Sequence, residues 1–582
     1  MTALRPLLFA AFVGFVATGC SRPAPTEPTP PAPTIAPGEP TYTGPAWFKD
    51  VTAQTGIRAT CRNGEEADQF TILESLGAGA AVFDYDGDGL LDVLVVGGGY
   101  FDGPNKQELK GHPCKLYRNR GGLKFDDATA AAGLDLPWWY AHGVAVADYD
   151  RDGFPDFVVT GYGRIELFHN EPDSNGGRKF VAVGAKLGLK DDSWSTSAGW
   201  GDIDGDGYPD LYVCHYCDWT FANNPVCKGQ TAGVARDVCP PQKFKPLVHA
   251  LFKNEKGAAF RDVSAEHNFK PAGCGLGVVL ADVNGDGRPD VYVGNDATNN
   301  FLFLNRGGKL EERGLAAGAA VDDSGRYNGS MGVDVGDYDG SGRAAIWVTN
   351  FQGELHALYH GLGNELFDHR SRAAGIAAAG MTRVGFGTRF VDLDGDGWED
   401  LVVLNGHVLR HPSAGAQKQK PVLFLNTPGP SGRLFKDVSD RGGPHFQTPA
   451  IARGLAVGDL DNDGRPDLVC THANGPVAVL RNEGVGGNPW VGVKLVGKGH
   501  RDVVGSTVIL EGESRTLTRF VTGGGSYLSA GDPRVPFGLG TAGKVKRLTV
   551  KWSWGGAQSW ENLEPGAYWE LTEGQPAAKK LP

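Results

Sequence analysis

The stretch "DYDGDGLLD", Asp84 to Asp92, sets carboxylates at positions 1, 3, 5 and 9 of a loop too short to keep them apart. Such groups repel unless a hard cation lies between them, and Ca²⁺ takes six to eight oxygens in a pliable shell. Asp84, Asp86, Asp88 and Asp92 are the candidate side-chain ligands. Leu90 at position 7 would add its backbone carbonyl, and Gly89 at position 6 permits the sharp turn. An EF-hand closes its ligand set with Glu at position 12 on a following helix. Position 12 here is Val95, within "LDVLVVG", a pattern that predicts a buried strand and excludes an EF-hand.

The motif recurs six times. Candidate ligands are Asp148, Asp150, Asp152, Phe154 and Asp156 in the second copy, and Asp202, Asp204, Asp206, Tyr208 and Asp210 in the third. The fourth offers Asp282, Asn284, Asp286, Arg288 and Asp290; the fifth only Asp337, Asp339 and Ser341, with Ala345 at position 9. Asp392, Asp394, Asp396, Trp398 and Asp400 form the sixth, and Asp459, Asp461, Asp463, Arg465 and Asp467 the seventh. In every copy the residue at position 7 would act through its carbonyl. Six or seven Ca²⁺ sites are expected, the fifth the weakest. The 25 aspartates at positions 1, 3, 5 and 9 account for most of the acidity behind the net charge of −12, so that charge does not imply a basic partner. No Lys/Arg run with interleaved aromatics points to nucleic acid.

A repeat of about 55 residues with insertions is architecture before it is anything else. A Gly-rich apolar strand A ("LGAGAAVFD", "GLAVGD") precedes each loop and a hydrophobic strand B ("LDVLVV", "EDLVVL") follows it. Strand C ends in an "LFxN" signature ("LYRN", "LFHN", "LFKN", "LFLN" twice, "VLRN"), and strand D reads "FDDAT" or "FKDVS". Four short antiparallel strands per repeat predict an all-β fold, a seven-bladed β-propeller. The seventh repeat lacks its own strand D, whereas "WFKDVTAQTGI" from Trp47 precedes the first blade. That segment is expected to complete blade seven and close the ring, leaving fewer bare strand edges.

These repeats resemble the FG-GAP or VCBS family, and the resemblance implies an integrin α-like seven-bladed propeller. Beyond it, Gly505, Val508, "GGGSYLS" from Gly523, "FGLG" from Phe537 and "LTVKW" from Leu548 resemble the ASPIC and UnbV domain of cartilage acidic protein-like chains, a small β-rich module. Pro536 and Trp554 depart from the family pattern, which often has His before "FGLG" and Trp-Pro-Ser-Gly at the second place. The expected organisation is a signal peptide over 1–20, a Pro-rich linker over 21–46, the propeller over 47–487 and the module over 488–573.

"MTALRPLLFAAFVGFVATGC" has the layout of a secretory signal, its apolar run short for a membrane span. Ala17-Thr18-Gly19-Cys20 resembles a bacterial lipobox, which implies cleavage before Cys20, lipid attachment there and anchoring to the envelope at the outer membrane or cell surface; plain secretion is the alternative. Eight further cysteines in an exported chain predict disulfides, and the four from Cys214 to Cys239 leave zinc as a second reading.

Residues just after strand B are expected near one end of the channel: His215, Tyr216, Asn295, Asp296, Asn350, Asn405, His407, His472 and Asn474. Of these, His215, Asn405 and His407 are the candidates for catalysis, without a recognisable nucleophile motif. Trp138, Trp139 and Tyr140 suit either sugar stacking or the core. The favoured function is a lipid-anchored, calcium-binding propeller that holds an extracellular protein or glycan, the membrane being engaged through Cys20. The alternative is a polysaccharide lyase or hydrolase at the channel mouth.

Overall fold

A computed structural model describes residues 45–581 except 431, 485, 486 and 542; the expected signal peptide, Cys20 and nearly all of the expected linker lie outside the described residues. Seven antiparallel blade sheets follow one another along the chain, six of four strands and the fourth of five, because Gly523–Gly524 adds to its strand A. Their A strands are Ala80–Phe83, Ala141–Ala147, Ser195–Gly201, Gly275–Ala281, Ser330–Gly336, Gly385–Val391 and Ala452–Gly458. Each packs against the next, and the last against the first, so the blades form a closed ring. Strands A and B are almost wholly buried, because sheet faces bury against the neighbouring blades; Val82, Val93 and Val95 of blade one share an apolar cluster with Ala456, Val469 and Val479 of blade seven.

Closure is as expected. Phe48–Asp50 pairs antiparallel with strand C of blade seven, Phe48 opposite Asn482 and Asp50 opposite Leu480. The rest of "WFKDVTAQTGI" forms a short turn of helix, Thr52–Thr55, not strand. Among the described residues no helix is long and apolar enough to cross a membrane.

Beyond the ring, Trp490–Val496 and Tyr568–Thr572 centre one four-stranded sheet, and Thr507–Gly512 and Val545–Lys551 centre another, around a core that includes Val508, Phe537, Leu548 and Trp560. From this module the run "GGGSYLSAGD", 523–532, enters the propeller channel. It bonds to strand A of every blade: Ser529 Oγ accepts from Ala80 N (3.2 Å), Leu528 O from Val144 N (3.1 Å), and Leu528 N donates to Ser197 Oγ (3.0 Å). Gly525 N donates to Val278 O (2.8 Å), Ser526 exchanges two backbone bonds with Val333, and its hydroxyl accepts from Thr388 N (3.2 Å) and donates to Leu455 O (2.9 Å). Tyr527 and Leu528 at its tip are buried with Phe386 of blade six, Tyr216 and Trp219 after blade three's strand B, and Leu409 after blade six's.

The disulfide expectation holds for one pair and not for the other cysteines. Cys227 and Cys239 form a disulfide, but Cys61, Cys114, Cys214, Cys217, Cys274 and Cys470 are buried free thiols. The disulfide also removes two members of the zinc tetrad considered for Cys214 to Cys239. Spacing alone did not reveal that Cys214 and Cys217 pack into different apolar clusters on either side of the strand B end.

Candidate metal centres

Each aspartate-rich loop runs from the end of strand A to the start of strand B. Position 1 draws the loop around itself: Asp84 Oδ1 accepts from Gly87 N (2.8 Å) and Asp88 N (3.1 Å), and Oδ2 from Gly89 N (3.0 Å). Asp202 does the same with Gly205, Asp206 and Gly207. The glycine at position 6 has a left-handed backbone in all seven loops, from φ +72° at Gly342 to +93° at Gly153, which a side chain would strain.

Carboxylate oxygens from three residues lie within 4.8 Å of one another in Asp84/Asp86/Asp92, Asp148/Asp150/Asp152, Asp202/Asp204/Asp206 and Asp392/Asp394/Asp400. Burial pushes Asp148, Asp202, Asp392 and Asp459 up to about 7 and Asp92 to about 8. Asp392 Oδ1 and Asp461 Oδ1 are buried with no hydrogen-bond partner. Crowded, desolvated carboxylates with orphaned oxygens fit a divalent cation held by hard oxygen ligands. Basic side chains offset part of the charge: Arg118 lies 2.6 Å from Asp86, Arg481 2.9 Å from Asp461, and Lys253 pairs with Asp204. At position 7, Arg288 and Arg465 fold their side chains back onto Asp286 and Asp463.

Position 9 has a second role. Asp92 Oδ2 accepts from Tyr85 N (3.1 Å) and Oδ1 from Asn119 N (2.7 Å), tying the loop's start to the end of strand C, and the arrangement repeats at Asp156, Asp210, Asp290, Asp400 and Asp467. The asparagine of "LFxN" then reaches across to the preceding blade. Asn305 Nδ2 donates to Ile203 O of blade three (2.8 Å) and to Pro289 O of its own blade (3.2 Å); Asn170, Asn254, Asn426, Asn482 and Asn119 clamp their neighbours likewise. The sequence signal of this ring of clamps is the recurring Asn at the end of an apolar strand, which does not by itself disclose the bond to the neighbouring blade. Blade five lacks both partners, having Ala345 at position 9 and Gly361 in place of the asparagine. Asn305→Ala should lower unfolding free energy by about 2–4 kcal/mol, since two buried carbonyls lose their donor. Chemical denaturation measures it, and a loss below about 0.5 kcal/mol, the range of an inert surface change, would show the clamp to be idle.

The residues after strand B mostly fasten their own loops. His215 is buried, Nδ1 donating to Val248 O (2.5 Å) and Nε2 2.7 Å from Asp191. Asn405 Nδ2 donates to Lys420 O (2.9 Å), and Asn350 Nδ2 to Leu355 O (2.5 Å). Asn295 Nδ2 donates to Asn299 O, His472 Nδ1 to Pro476 O, Asn474 Nδ2 to Asn63 Oδ1, and Tyr216 OH to Asp296. His407 accepts from Leu409 N (3.0 Å), and burial lowers it to about 4. The cavity it lines with Asn63, Glu74, Arg410 and Arg453 measures about 10 Å³, space for a single water. Thus His215, Asn405 and His407 do not come together around a ligand-sized space. Trp138 and Tyr140 are core residues, Trp138 stacked on Phe168 at 5.4 Å and Tyr140 donating to Asn63 O, while Trp139 is half-buried and stacked on Trp138 at 5.4 Å.

Residues 496–578 match the family ASPIC and UnbV, and 84–159, 148–213, 282–348 and 392–470 match the FG-GAP-like repeat. The chain carries FG-GAP-like repeats and an ASPIC/UnbV domain. It is homologous to human cartilage acidic protein 1, with 25% identity over 469 residues, 71% of this chain and 68% of that protein. Rat integrin alpha-7 is 31% identical over 169 residues, 27% of this chain and 14% of the integrin. Among solved structures, the Dos1 propeller aligns with a TM-score of 0.34 and 9% identity, covering 76% of this chain and 96% of that one.

The ASPIC/UnbV domain rests on the acidic-loop face of the FG-GAP-like ring. Trp554 Nε1 donates to Asp202 O (2.8 Å), and Asp502 accepts from Asp202 N (2.8 Å). Gly538 N donates to Asp392 Oδ2 (3.1 Å), Tyr568 OH to Asp459 Oδ2 (3.0 Å), and Arg534 Nη2 to Asp459 O (2.9 Å). Trp490 lies so close over Gly464 that a Cβ there would sit 1.9 Å from the indole. The domain therefore packs on loop backbone and on position 1 carboxylates, and its fit depends on the loops keeping this shape.

Proposed function

We propose that this chain is a calcium-stabilised propeller, lipid-anchored through Cys20 to the bacterial envelope, that binds an extracellular partner, a protein in preference to a glycan. The observation that carries binding over catalysis is the filled channel: 523–532 occupies the axis along all seven A strands, where a propeller enzyme would place its site. The candidate acid–base residues are used as loop fasteners. A protein partner is favoured because the repeats are homologous to integrin α and because Trp138 and Tyr140 are core residues, not a sugar-stacking platform. Calcium fits the carboxylate loops, which would supply Asp oxygens and the position 7 carbonyl, and the Pro-rich linker would hold the ring off the membrane.

The test immobilises the purified chain and presents envelope proteins, protease-treated envelope material and polysaccharides with and without calcium. Calcium-dependent retention of protease-sensitive material, without depolymerisation of polysaccharide, is the expected result. Polysaccharide turnover that His407→Ala abolishes while the melting temperature stays unchanged would replace this reading with the enzyme.

A further inference from the structure

Blade five looks at first like a degraded copy of the acidic loop, with Ser341 and Ala345 where the others mostly carry aspartates. Part of the loop's backbone bonding is nevertheless kept, through Asp337 Oδ2 and Asp339 and not through Asp337 Oδ1. Gly342 N donates to Asp337 Oδ2 (3.0 Å) and Ser341 N to Asp339 Oδ1 (3.1 Å), the same bonds that shape the loops of blades one and two. What differs is the side chain that strand C turns toward the carboxylates. At the third place of "LFxN" the blades carry Arg118, His169, Lys253, Leu304, His360, Leu425 and Arg481 in order. The arginines and the lysine supply permanent positive charge, and the leucines offer no donor atom. Only blades two and five have an imidazole.

In blade two, His169 Nδ1 is taken up by Asp156 at position 9, 3.0 Å away. Blade five has no carboxylate at position 9, so His360 Nδ1 is left without a hydrogen-bond partner although the residue is only 8% exposed. The ring is held edge-on to Tyr338 at 5.9 Å, and Nδ1 lies 3.5 Å from Asp339 Oδ2. Asp337 Oδ1, at position 1, is likewise buried and unpartnered. Two buried ligand atoms of different chemistry, one nitrogen and one oxygen, are thus orphaned at one loop, with a further carboxylate beside the nitrogen.

We propose that blade five holds a zinc-class divalent cation rather than calcium, bound by Asp337, Asp339 and His360 Nδ1. Imidazole nitrogen with two carboxylates is a donor set suited to Zn²⁺, whereas Ca²⁺ prefers an all-oxygen shell and gains little from nitrogen. Loss of two hard carboxylates lowers the charge that holds calcium, and the same substitutions release the nitrogen. The ring would then carry two classes of metal, six calcium loops and one site selective for the softer ion.

The test uses the full chain, stripped of metal and then equilibrated with Zn²⁺ in a millimolar excess of Ca²⁺, with both metals counted by mass spectrometry. One zinc per chain is expected beside the calcium, and His360→Phe, which keeps the ring volume, should lose that zinc while calcium content is unchanged. Asp339→Asn supplies the same reading should the phenylalanine variant fold poorly, because Asp339 is a partly exposed loop residue. Co²⁺ in place of zinc should give visible absorption without thiolate charge-transfer bands, which separates this site from the buried cysteines. No zinc retained against calcium, or zinc retained undiminished by both variants, overturns the proposal; so does zinc lost on His169→Phe and not on His360→Phe. Absence of calcium from the other loops would count against the calcium reading alone, since the zinc count is independent of it.

Discussion

Stripping divalent cations from the purified chain at pH 7.5 is expected to lower its melting temperature by roughly 10 °C. Calcium modules of exported proteins bind at about 10⁻⁴ to 10⁻³ M. At free calcium twenty-fold above Kd, each site adds about 1.8 kcal/mol to the folded state, so six sites add about 11 kcal/mol, comparable with the whole stability of an ordinary domain. For a chain of this length that corresponds to a shift of that order.

The effect should also depend on pH with a definite sign. In the metal-free chain burial raises the position 1 carboxylates, Asp148, Asp202, Asp392 and Asp459, to about 7, well above their unfolded value near 3.9. Between those values the folded state binds more protons than the unfolded, so the metal-free chain loses stability as pH rises from about 4 to 7. Calcium binding requires the ionised form and runs the opposite way. The gap between melting temperatures with and without calcium should therefore widen from pH 5.5 to 7.5. Scanning calorimetry on metal-free and calcium-loaded samples measures both, and an unchanged midpoint after confirmed metal removal would sink the calcium assignment.

Deleting 47–57 should be the most damaging small truncation in the chain. Trp47, Phe48, Val51 and Ile57 are each at most 5% exposed; Phe48 stacks on Phe446 at 5.7 Å, and Arg441 lies over Trp47 at 4.6 Å. At about 1.5–3 kcal/mol for each large apolar side chain, their loss removes on the order of 6–12 kcal/mol. It also bares the edge of Ala478–Asn482, a strand then free to pair with another chain. A chain starting at Arg58 should be recovered as aggregate or as a species of lowered melting temperature, whereas one starting at Gly44 should match the full ring. Equal melting and equal elution of the two would show that closure does not depend on this strand.

The acidic loops and the closing strand are both legible in the amino-acid sequence. Aspartates at positions 1, 3, 5 and 9 around an obligatory glycine carry their chemistry in local spacing, and a local pattern repeated seven times identifies a blade. The missing strand D of repeat seven and the surplus strand at Trp47 required only counting. The Asp–Asn clamp was half visible: "LFxN" stood out, but its bond to the preceding blade joins residues as far apart as Asn119 and Leu460.

Other features existed only in three dimensions. Nothing in "GGGSYLSAGD" states that it fills a channel; its first glycine is explained by strand A of blade three, where a Cβ on Gly523 would meet Trp200 O at 1.8 Å, and its second by strand A of blade four, where a Cβ on Gly524 would meet Val278 O at 2.7 Å. The pairing of Cys227 with Cys239, with six other thiols left free, likewise depends on which loops the fold brings side by side. His360 reads in sequence as one more strand residue, and its unpaired nitrogen appears only when Ala345, fifteen residues earlier, is found opposite it in the next strand, where blade two has a carboxylate. Sequence determined this protein's repeated local chemistry, because each loop's ligands lie within nine residues; tertiary structure decided which orphaned atoms and which distant segments meet, because those contacts depend on ring closure.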